Sequence, residues 1–253
     1  MTLENLNIYE SIAERTQGDI YVGVVGPVRT GKSTFIKRFM DLLVIPNVTN
    51  TYVKERVIDE LPQSGAGRTI TTTEPKFVPA EAVALELPGN INFKVRMVDC
   101  VGYMVKNALG HQEDGKARMV NTPWQENRIP FEEAAEIGTR KVITDHSTIG
   151  IVVTTDGSIG EIKRENFLPA EERVVSELKE LRKPFVVVLN STAPEGEVAQ
   201  ETKALMEEKY GVPVIAANCA RMNYKTLTHI LSETLYEFPA AQIKFTLPGF
   251  IEG

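Results

Sequence analysis

The sequence has little cysteine and little histidine, and this excludes several classes of site. Only Cys100 and Cys219 occur among 253 residues, far apart and without the spacing of metal ligands. A disulfide framework or a zinc site is therefore not expected, and we predict that both residues are buried thiols. The three histidines, at positions 111, 146 and 229, share no metal-ligand spacing either.

Long apolar runs and an excess of basic residues are also absent. No stretch approaches the roughly 18 apolar residues that span a bilayer, and Glu4 and Glu10 stand where a signal peptide would be basic and then apolar. We therefore expect a cytoplasmic protein. A net charge of −6 and a pI near 5.3, with no basic stripe, argue against a nucleic-acid partner and against strong direct attraction to a membrane.

What the sequence does contain is one phosphate-binding loop. Residues 26–33 read GPVRTGKS and match the pattern G-x-x-x-x-G-K-[ST]. The apolar run 20–25 before them predicts a buried strand, and the spacing of apolar residues over 33–43 predicts a helix. We expect Lys32 to reach the terminal phosphates and Ser33 to bind Mg²⁺. The nucleotide contacts in this loop are predicted at Gly26, Arg29, Thr30, Gly31, Lys32, Ser33 and Thr34.

A threonine-rich segment follows at residues 68–75, after a polar stretch over 46–67 for which we predict a loop with about one helical turn over 53–61. The segment suits an exposed strand edge. It also lies where the first switch loop of a phosphate-loop protein belongs, so that Thr72 or Thr73 would complete the Mg²⁺ shell. Arg68 is a candidate to assist hydrolysis.

Residues 82–87 and 91–98 alternate between apolar and polar around Pro88-Gly89-Asn90, which predicts an antiparallel hairpin. Its second strand ends in Asp99, positioned for a Mg²⁺ contact, and Gly102 would let its N–H approach the γ-phosphate. Tyr103 stands where many Ras-like GTPases carry the glutamine that orients the attacking water. The water must be positioned otherwise, or hydrolysis needs help.

Residues 106–130 read as a long polar stretch, which predicts an elaborated second switch or a binding loop. It contains the only tryptophan, Trp124, which could anchor a partner or pack over its own loop. Asp156 follows a buried strand and suggests either a ligand contact or a turn. The remaining segments alternate in type. We predict helices over 131–146, 170–182, 195–210 and 224–238, and strands over 149–153, 184–189 and 212–217.

The residues that would read the base depart from the GTPase pattern. Regulatory GTPases carry Asn-Lys-x-Asp after the corresponding strand, whereas this chain has Asn190-Ser191-Thr192-Ala193. Asn190 and the backbone near Cys219 are predicted to contact the nucleotide. The carboxylate that would select guanine is missing, which favours ATP or an indifferent site over strict use of GTP.

Taken together, the segments 26–33, 68–75, 99–102, 121–124, 136–141 and 148–157 closely resemble the bacterial stage IV sporulation protein A family. The resemblance implies an ATPase in which Lys32 has the Walker A role, Asp99 the Walker B role, and Thr72 and Thr73 the sensor-threonine role. It also implies hydrolysis-driven self-assembly into the base layer of the spore coat, in the mother cell at the forespore surface. Implied partners are other copies, other coat proteins and a small amphipathic membrane-anchoring peptide, so that any membrane contact is indirect.

The fold class predicted from these features is α/β. We expect a P-loop NTPase of the Ras-like type, with a central, mostly parallel sheet, one antiparallel hairpin strand and helices on both faces. We divide the chain into a helical extension (1–17), the NTPase domain (18–238) and the start of a following region (239–253), since family members are longer. The predicted function is a Mg²⁺-dependent ATPase. The alternatives are a GTP-binding switch and a nucleotide-stabilised structural domain with negligible turnover.

Overall fold

The fold is built on one six-stranded sheet. The computed structural model describes residues 19–62, 74–87, 91–108, 112–113 and 116–238. Three predictions lie outside these residues: the N-terminal extension, the threonine-rich segment with Arg68, Thr72 and Thr73, and the region from 239 onward. None of the helices in the described part has the length and apolar character needed to cross a membrane.

Strands and helices alternate along the chain as a parallel α/β fold requires. The strands are β1 (Asp19–Val25), β2 (Lys76–Leu87), β3 (Ile91–Asp99), β4 (Gln112–Glu113), β5 (Lys116–Ala117), β6 (Met119–Thr122), β7 (Gln125–Pro130), β8 (Ile149–Thr155), β9 (Phe185–Asn190) and β10 (Val214–Ala217). The helices are α1 (Lys32–Phe39), α2 (Ile45–Asn47), α3 (Thr51–Asp59), α4 (Phe131–Asp145), α5 (Leu168–Glu180), α6 (Glu197–Tyr210) and α7 (Tyr224–Tyr236). A π-helical segment, Met40–Val44, joins α1 to α2.

The main sheet has the order β10-β9-β8-β1-β3-β2. All pairs are parallel except β2 with β3, which form the predicted antiparallel hairpin. The chain moves from β1 to β3 on one side and to β8, β9 and β10 on the other, so the order reverses at β1. Ligands of open α/β sheets bind at the carboxyl ends of the strands at such a reversal, and this is where β1 ends in the phosphate loop. The predicted fold class is confirmed.

Alternate strand residues build two cores, one on each face of the sheet. On one face Val22 and Val24 of β1 pack in the same cluster as residues of α1 and α7. On the other face Val25 packs in the same cluster as residues of α4, α5 and α6. All seven residues of β8 are buried, as expected for a central parallel strand covered on both sides.

Two loops predicted from the sequence contain more regular structure than expected. The stretch 46–67 holds the nine-residue helix α3, capped by the Asn50 side chain, which accepts from the Val53 N–H, where a single turn was predicted. The stretch 106–130 is not one polar loop, because it contains two short antiparallel hairpins, β4-β5 and β6-β7. Polar strand residues such as those of β7 are mostly exposed and gave no apolar alternation to detect.

Both cysteines are buried free thiols, as predicted, and they make stability depend on pH. Burial raises the pKa of Cys100 from 9.0 to about 11 and that of Cys219 from 9.0 to about 12. Above pH 9 the unfolded chain loses these protons while the folded chain keeps them, so stability falls as the pH rises. We expect each thiol to cost about 1.4 kcal/mol of unfolding free energy between pH 8 and pH 10.

Urea unfolding of the wild type and of the double variant Cys100→Ala/Cys219→Ala across this pH range measures the effect. Burial also raises the pKa values of Tyr103 and Tyr210, so the double variant should still lose some stability as the pH rises. The part of the decrease that the two thiols cause should be absent from it. Equal pH slopes in the two proteins would contradict the assignment to the thiols.

Candidate functional site

The phosphate loop connects β1 to α1 and has the backbone that its glycines allow. Gly26 and Gly31 have φ of 136° and 97°, in the region that side chains disfavour. A Cβ on Gly26 would stand 2.3 Å from the Val153 carbonyl oxygen of the neighbouring strand. Gly31 caps α1, and Thr34 lies in the first turn of that helix. The free N–H groups of this helix start are what binds phosphate in such loops.

Lys32 folds back over the loop that precedes it. Its Nζ donates to the Pro27 carbonyl at 2.6 Å, and the Thr30 hydroxyl donates to the same oxygen at 3.0 Å. The side chain is 5% exposed. Burial lowers the pKa of Lys32, while the neighbouring Cys100 and Asp99 oppose that shift. A buried ammonium with one hydrogen bond has two donor positions left for an anion.

Ser33 and Asp99 form the polar pair that the sequence placed at a metal site. The parallel register of β1 and β3 sets Asp99 opposite Val24, beside the loop. The Ser33 hydroxyl donates to Asp99 Oδ2 at 2.6 Å. Burial raises the pKa of Asp99, and the Ser33 hydrogen bond and Lys32 act against it. Asp99 Oδ1 is buried and has no hydrogen-bond partner among the described residues. A hydroxyl and a carboxylate oxygen left without a partner fit Mg²⁺, which prefers hard oxygen ligands.

Gly102 lies against the loop, but its N–H has an acceptor that the sequence did not indicate. Its φ is 94°, and a Cβ there would stand 2.2 Å from the Gly26 carbonyl oxygen and 2.6 Å from Lys32 Nζ. The N–H donates to the Thr139 hydroxyl of α4 at 3.2 Å. The predicted contact of this N–H with a γ-phosphate stays a prediction, because it would have to replace the bond to Thr139.

Tyr103 is turned away from the loop and into the core beneath it. Its hydroxyl donates to Glu177 of α5, and the Arg173 guanidinium lies 4.2 Å from the centre of its ring. The backbone of Tyr103 extends the pairing of β1 with β3 into the phosphate loop, because the Val28 N–H donates to the Tyr103 carbonyl at 2.9 Å. The side chain at this position therefore holds α5 in place and cannot orient an attacking water at the loop.

Asn190, at the end of β9, connects the two ends of the predicted nucleotide site. Its Nδ2 donates to the Thr30 carbonyl at 2.9 Å, and its Oδ1 accepts from the Cys219 N–H at 3.0 Å. The side chain is buried. The structure thus gives Asn190 and Cys219 a role within the protein, where the sequence predicted contacts with the nucleotide. Those contacts stay predictions.

Replacing Asn190 is expected to loosen the loop from β10. Asn190→Ala leaves the Thr30 carbonyl and the Cys219 N–H unpaired, and Asn190→Asp keeps the acceptor but turns an oxygen toward the Thr30 carbonyl. We expect each variant to lose about 1–3 kcal/mol of unfolding free energy and to bind nucleotide more weakly. Urea unfolding and nucleotide titration measure both effects, with Asn127→Ala on the exposed β7 as the control. Wild-type values for Asn190→Asp would contradict the role of Nδ2 as a donor.

The loops that would face a base satisfy their own backbone. Ser191 Oγ accepts from the Ala193 N–H at 3.1 Å, and Ser158 Oγ accepts from the Thr192 N–H at 2.9 Å. Asn218 Oδ1 accepts from the N–H groups of residues 220 and 221. Ala193 is exposed and supplies no carboxylate. Position 193 therefore offers a methyl group where regulatory GTPases carry the aspartate.

Asp156 has the turn role that the sequence gave as one alternative, since its Oδ1 accepts from the Ser158 N–H at 2.9 Å. Beneath this turn lies a buried network that the sequence did not indicate. Arg164 makes two bonds to the Glu171 carboxylate, at 2.5 and 2.7 Å, and Thr154 and Tyr210 also donate to it, at 2.5 and 2.7 Å. Glu171 has no exposed surface. These contacts join β8, α5 and α6 to the segment that runs beside the loop.

Of the predicted site residues, the structure brings together the loop, Asp99 and Gly102, with Asn190 at the other end of the loop. Arg29, whose φ is 63°, and Thr30 lie in the loop itself. Arg68, Thr72 and Thr73 lie outside the described residues, so their roles in metal binding and hydrolysis stay predictions. Thr139 was missed because no local pattern marks a helical threonine as the partner of a glycine 37 residues earlier.

Comparison with known proteins gives consistent matches over nearly the whole chain. Residues 3–239 match the family model described as the ATPase domain of stage IV sporulation protein A. A relative of that name from Clostridioides difficile (strain 630) is 56% identical over 249 residues. Relatives of the same name from Bacillus anthracis and Bacillus subtilis (strain 168) are 53% and 52% identical. Each match covers 98% of this chain and 51% of the relative, so the chain spans about half their length.

Proposed function

Since the chain belongs to the stage IV sporulation protein A family and carries its ATPase domain, we propose that it hydrolyses ATP with Mg²⁺ and couples hydrolysis to self-assembly. The observation that carries the proposal is the group formed by Lys32, Ser33 and Asp99 at the phosphate loop. A buried ammonium, a hydroxyl and a carboxylate with one oxygen unpartnered are the groups that phosphoryl transfer requires.

The reaction is the attack of water on the γ-phosphate with departure of ADP, and the residues act mainly by position and charge. Lys32 brings positive charge to the terminal phosphates and has only the Pro27 carbonyl to give up. Ser33 and Asp99 would hold Mg²⁺, which neutralises charge on the phosphate oxygens. Gly102 and Gly26 keep the backbone close to Lys32, because a Cβ at Gly102 would collide with both.

ATP is the proposed nucleotide, and GTP is the alternative that a titration decides. The base loops lack the carboxylate that accepts from guanine, and their hydroxyl and amide oxygens already accept from backbone N–H groups. Calorimetric titration with ATP and with GTP in the presence of Mg²⁺ should show tighter binding of ATP, or equal binding. A clear preference for GTP would contradict the ATPase proposal and favour a GTP-binding switch.

Self-assembly is the part of the proposal that reaches furthest beyond this chain. The relatives are about twice as long. We therefore propose these properties only for the whole protein: the scaffold of the spore coat, the contacts with other coat proteins and with a small amphipathic peptide, and the site at the forespore surface. Sedimentation of the full-length protein with Mg·ATP, with Mg·ADP and with no nucleotide tests the coupling. We expect pelleting polymer with ATP. Equal pelleting in all three conditions would show that assembly does not depend on ATP hydrolysis and would contradict the coupling.

A further inference from the structure

A cavity of about 540 Å³ lies beside the phosphate loop and is not part of the metal and lysine site described above. Ser33, Asp99 and Asn190 do not line it. We call it the Arg29 cavity. It opens between the loop, the segment that follows Gly102 and the segment that follows β8. The residues that matter for its chemistry are Arg29, Asn107, Ile159, Ile162, Lys163 and Asn166.

Arg29 lines this cavity and is partly exposed, and one of its donors has no partner in the described part of the chain. Its Nε is buried and has no hydrogen-bond partner among the residues that the structure describes. A guanidinium N–H taken out of water without an acceptor costs free energy, and the cost is larger for a charged donor than for a neutral one. Since the residue as a whole is only partly buried, its guanidinium has room to turn this donor toward an acceptor in the cavity.

Backbone strain converges on the same cavity. In the described part of the chain three non-glycine residues have positive φ: Arg29 at 63°, Asn107 at 70° and Arg182. Two of these three line the cavity, on separate segments. The left-handed region disfavours side chains, and a glycine at position 29 would remove that cost. Strained residues concentrate at ligand clamps, where the surrounding structure holds them in place.

The part of the cavity wall formed by residues 159–166 is held by hydrogen bonds. Arg164, which follows Lys163, is fixed by its two bonds to the buried Glu171 carboxylate. The Asn166 N–H donates to the Lys163 carbonyl at 3.1 Å, and Ser158 at the start of the segment is bonded to the Thr192 N–H. A preformed wall loses little entropy when a ligand binds, so a small ligand can be held by few contacts.

The charges select the kind of ligand. Arg29 and Lys163 contribute two positive charges, and Asn107 and Asn166 add amide donors. Ile159 and Ile162 line the cavity with apolar surface, which strengthens charge interactions nearby. Glu161, which is exposed, is the one carboxylate among the lining residues, so the lining carries a net charge of +1, and Glu161 already has an interaction of its own. A partly exposed arginine and an exposed lysine that line one space fit a tetrahedral oxyanion better than a cation or an apolar molecule.

We propose that the Arg29 cavity binds inorganic phosphate, as a site separate from the nucleotide phosphates. The inference deepens the proposed function: the phosphate that occupies the cavity during turnover is the one released from ATP. The cavity lies close to the phosphate loop because the Val28 N–H donates to the Tyr103 carbonyl. Arg29 directly follows Val28, and Asn107 comes four residues after Tyr103.

The test fills the nucleotide site first. The chain of residues 1–253 is saturated with Mg·ADP and titrated with inorganic phosphate, and binding is followed by calorimetry and by phosphorus NMR. We expect one phosphate per chain. Lys163→Gln should weaken its binding about tenfold, because one charge-assisted contact is lost. Lys225→Gln, an exposed lysine on α7, should bind like the wild type.

The variant Arg29→Gly distinguishes a loss of phosphate binding from a loss of folding stability. This variant removes the guanidinium and the strain together, so its melting temperature should equal or exceed that of the wild type while phosphate binding is lost. Wild-type phosphate affinity in both Arg29→Gly and Lys163→Gln would overturn the proposal. So would phosphate that binds only when ADP is absent, because it would then occupy the nucleotide loop.

The source of the phosphate is tested by turnover. If ATP is hydrolysed, added phosphate should slow the steady state in a way that excess ATP does not relieve, and Lys163→Gln should reduce that inhibition. Phosphate binding without any ATP turnover would leave the cavity established and remove the proposed enzymatic function. ATP turnover without a separate phosphate site would support the proposed hydrolysis and contradict the phosphate site.

Discussion

Lys32→Met is expected to abolish ATP turnover and to leave the fold at least as stable as the wild type. The activity falls because the ammonium that would meet the terminal phosphates is gone, and loss of one such charged contact costs about 10²–10³ in rate or more. The stability holds because methionine fills the space of the alkyl chain without a charge. In the wild type Lys32 is buried and burial lowers its pKa, which means that the folded chain disfavours the charge.

The pH dependence of stability gives this prediction a second readout. Because the folded pKa of Lys32 lies below 10.5, the unfolded chain binds the proton more tightly, and the contribution of Lys32 to stability improves as the pH rises toward 10.5. In Lys32→Met this contribution disappears. Phosphate release from ATP and urea unfolding at several pH values measure the two effects.

Lys37→Met is the matched control, since Lys37 lies on the same helix and is exposed. It should keep both activity and stability. If phosphate release by Lys32→Met equals that of the wild type, the loop is not catalytic and the chain is a nucleotide-stabilised structural domain. If Lys32→Met is inactive but strongly destabilised, the loss of activity does not report on catalysis, and our reading of the Lys32 environment is wrong.

Glu171→Ala is expected to give the largest loss of stability of any single change discussed. The Glu171 carboxylate is fully buried and accepts from Arg164, Thr154 and Tyr210. Removing it leaves the largely buried Arg164 charge without its partner and leaves the hydroxyl donors of Thr154 and Tyr210 without an acceptor. Breaking a buried ion pair on one side costs about 3–5 kcal/mol. The measurement is urea unfolding at pH 7.

The neighbouring Glu172 supplies the control. It pairs with Lys209 at the surface, where both side chains are about half exposed, so Glu172→Ala should change the unfolding free energy by about 1 kcal/mol or less. The double variant Glu171→Leu/Arg164→Met, in which neither charge remains, should recover most of the stability that Glu171→Ala loses. A Glu171→Ala protein as stable as Glu172→Ala would contradict the assigned network.

The parts of the site that the sequence predicted are those encoded by short segments. The motif at residues 26–33, with a strand before it and a helix after it, specified the loop and the positions of Lys32 and Ser33. Asp99 was placed beside Ser33 because it ends a strand, and the carboxyl ends of neighbouring parallel strands meet at one edge. The bond between Ser33 and Asp99 agrees with that reasoning.

The parts that the sequence did not predict depend on which distant segments meet. Thr139 accepts from Gly102 because α4 packs against β1, the neighbour of β3, and Glu171 is buried because three elements converge on it. Such pairs have no sequence period. Asn190 was predicted to contact the nucleotide from its position alone, whereas its amide geometry joins Thr30 to Cys219. The short hairpins within 106–130 escaped prediction because their strands are short and mostly polar, without apolar alternation.

The π-helical segment Met40–Val44, in the middle of the helix that follows the phosphate loop, bears on how insertions and deletions are tolerated. A π turn holds one residue more than an α turn, so it accommodates a one-residue insertion without rotating the rest of the helix. Met40, Leu43 and Val44 are all buried in this segment. Loss of one residue here would shorten the helix to regular α geometry and keep the flanking residues on their faces. Loss of one residue within Lys32–Phe39 would rotate the side chains between that position and the π-helical segment by about 100° and take buried residues off the core face. In the helix that follows the loop, the chain therefore has a place where its length can change while the phosphate loop keeps its register.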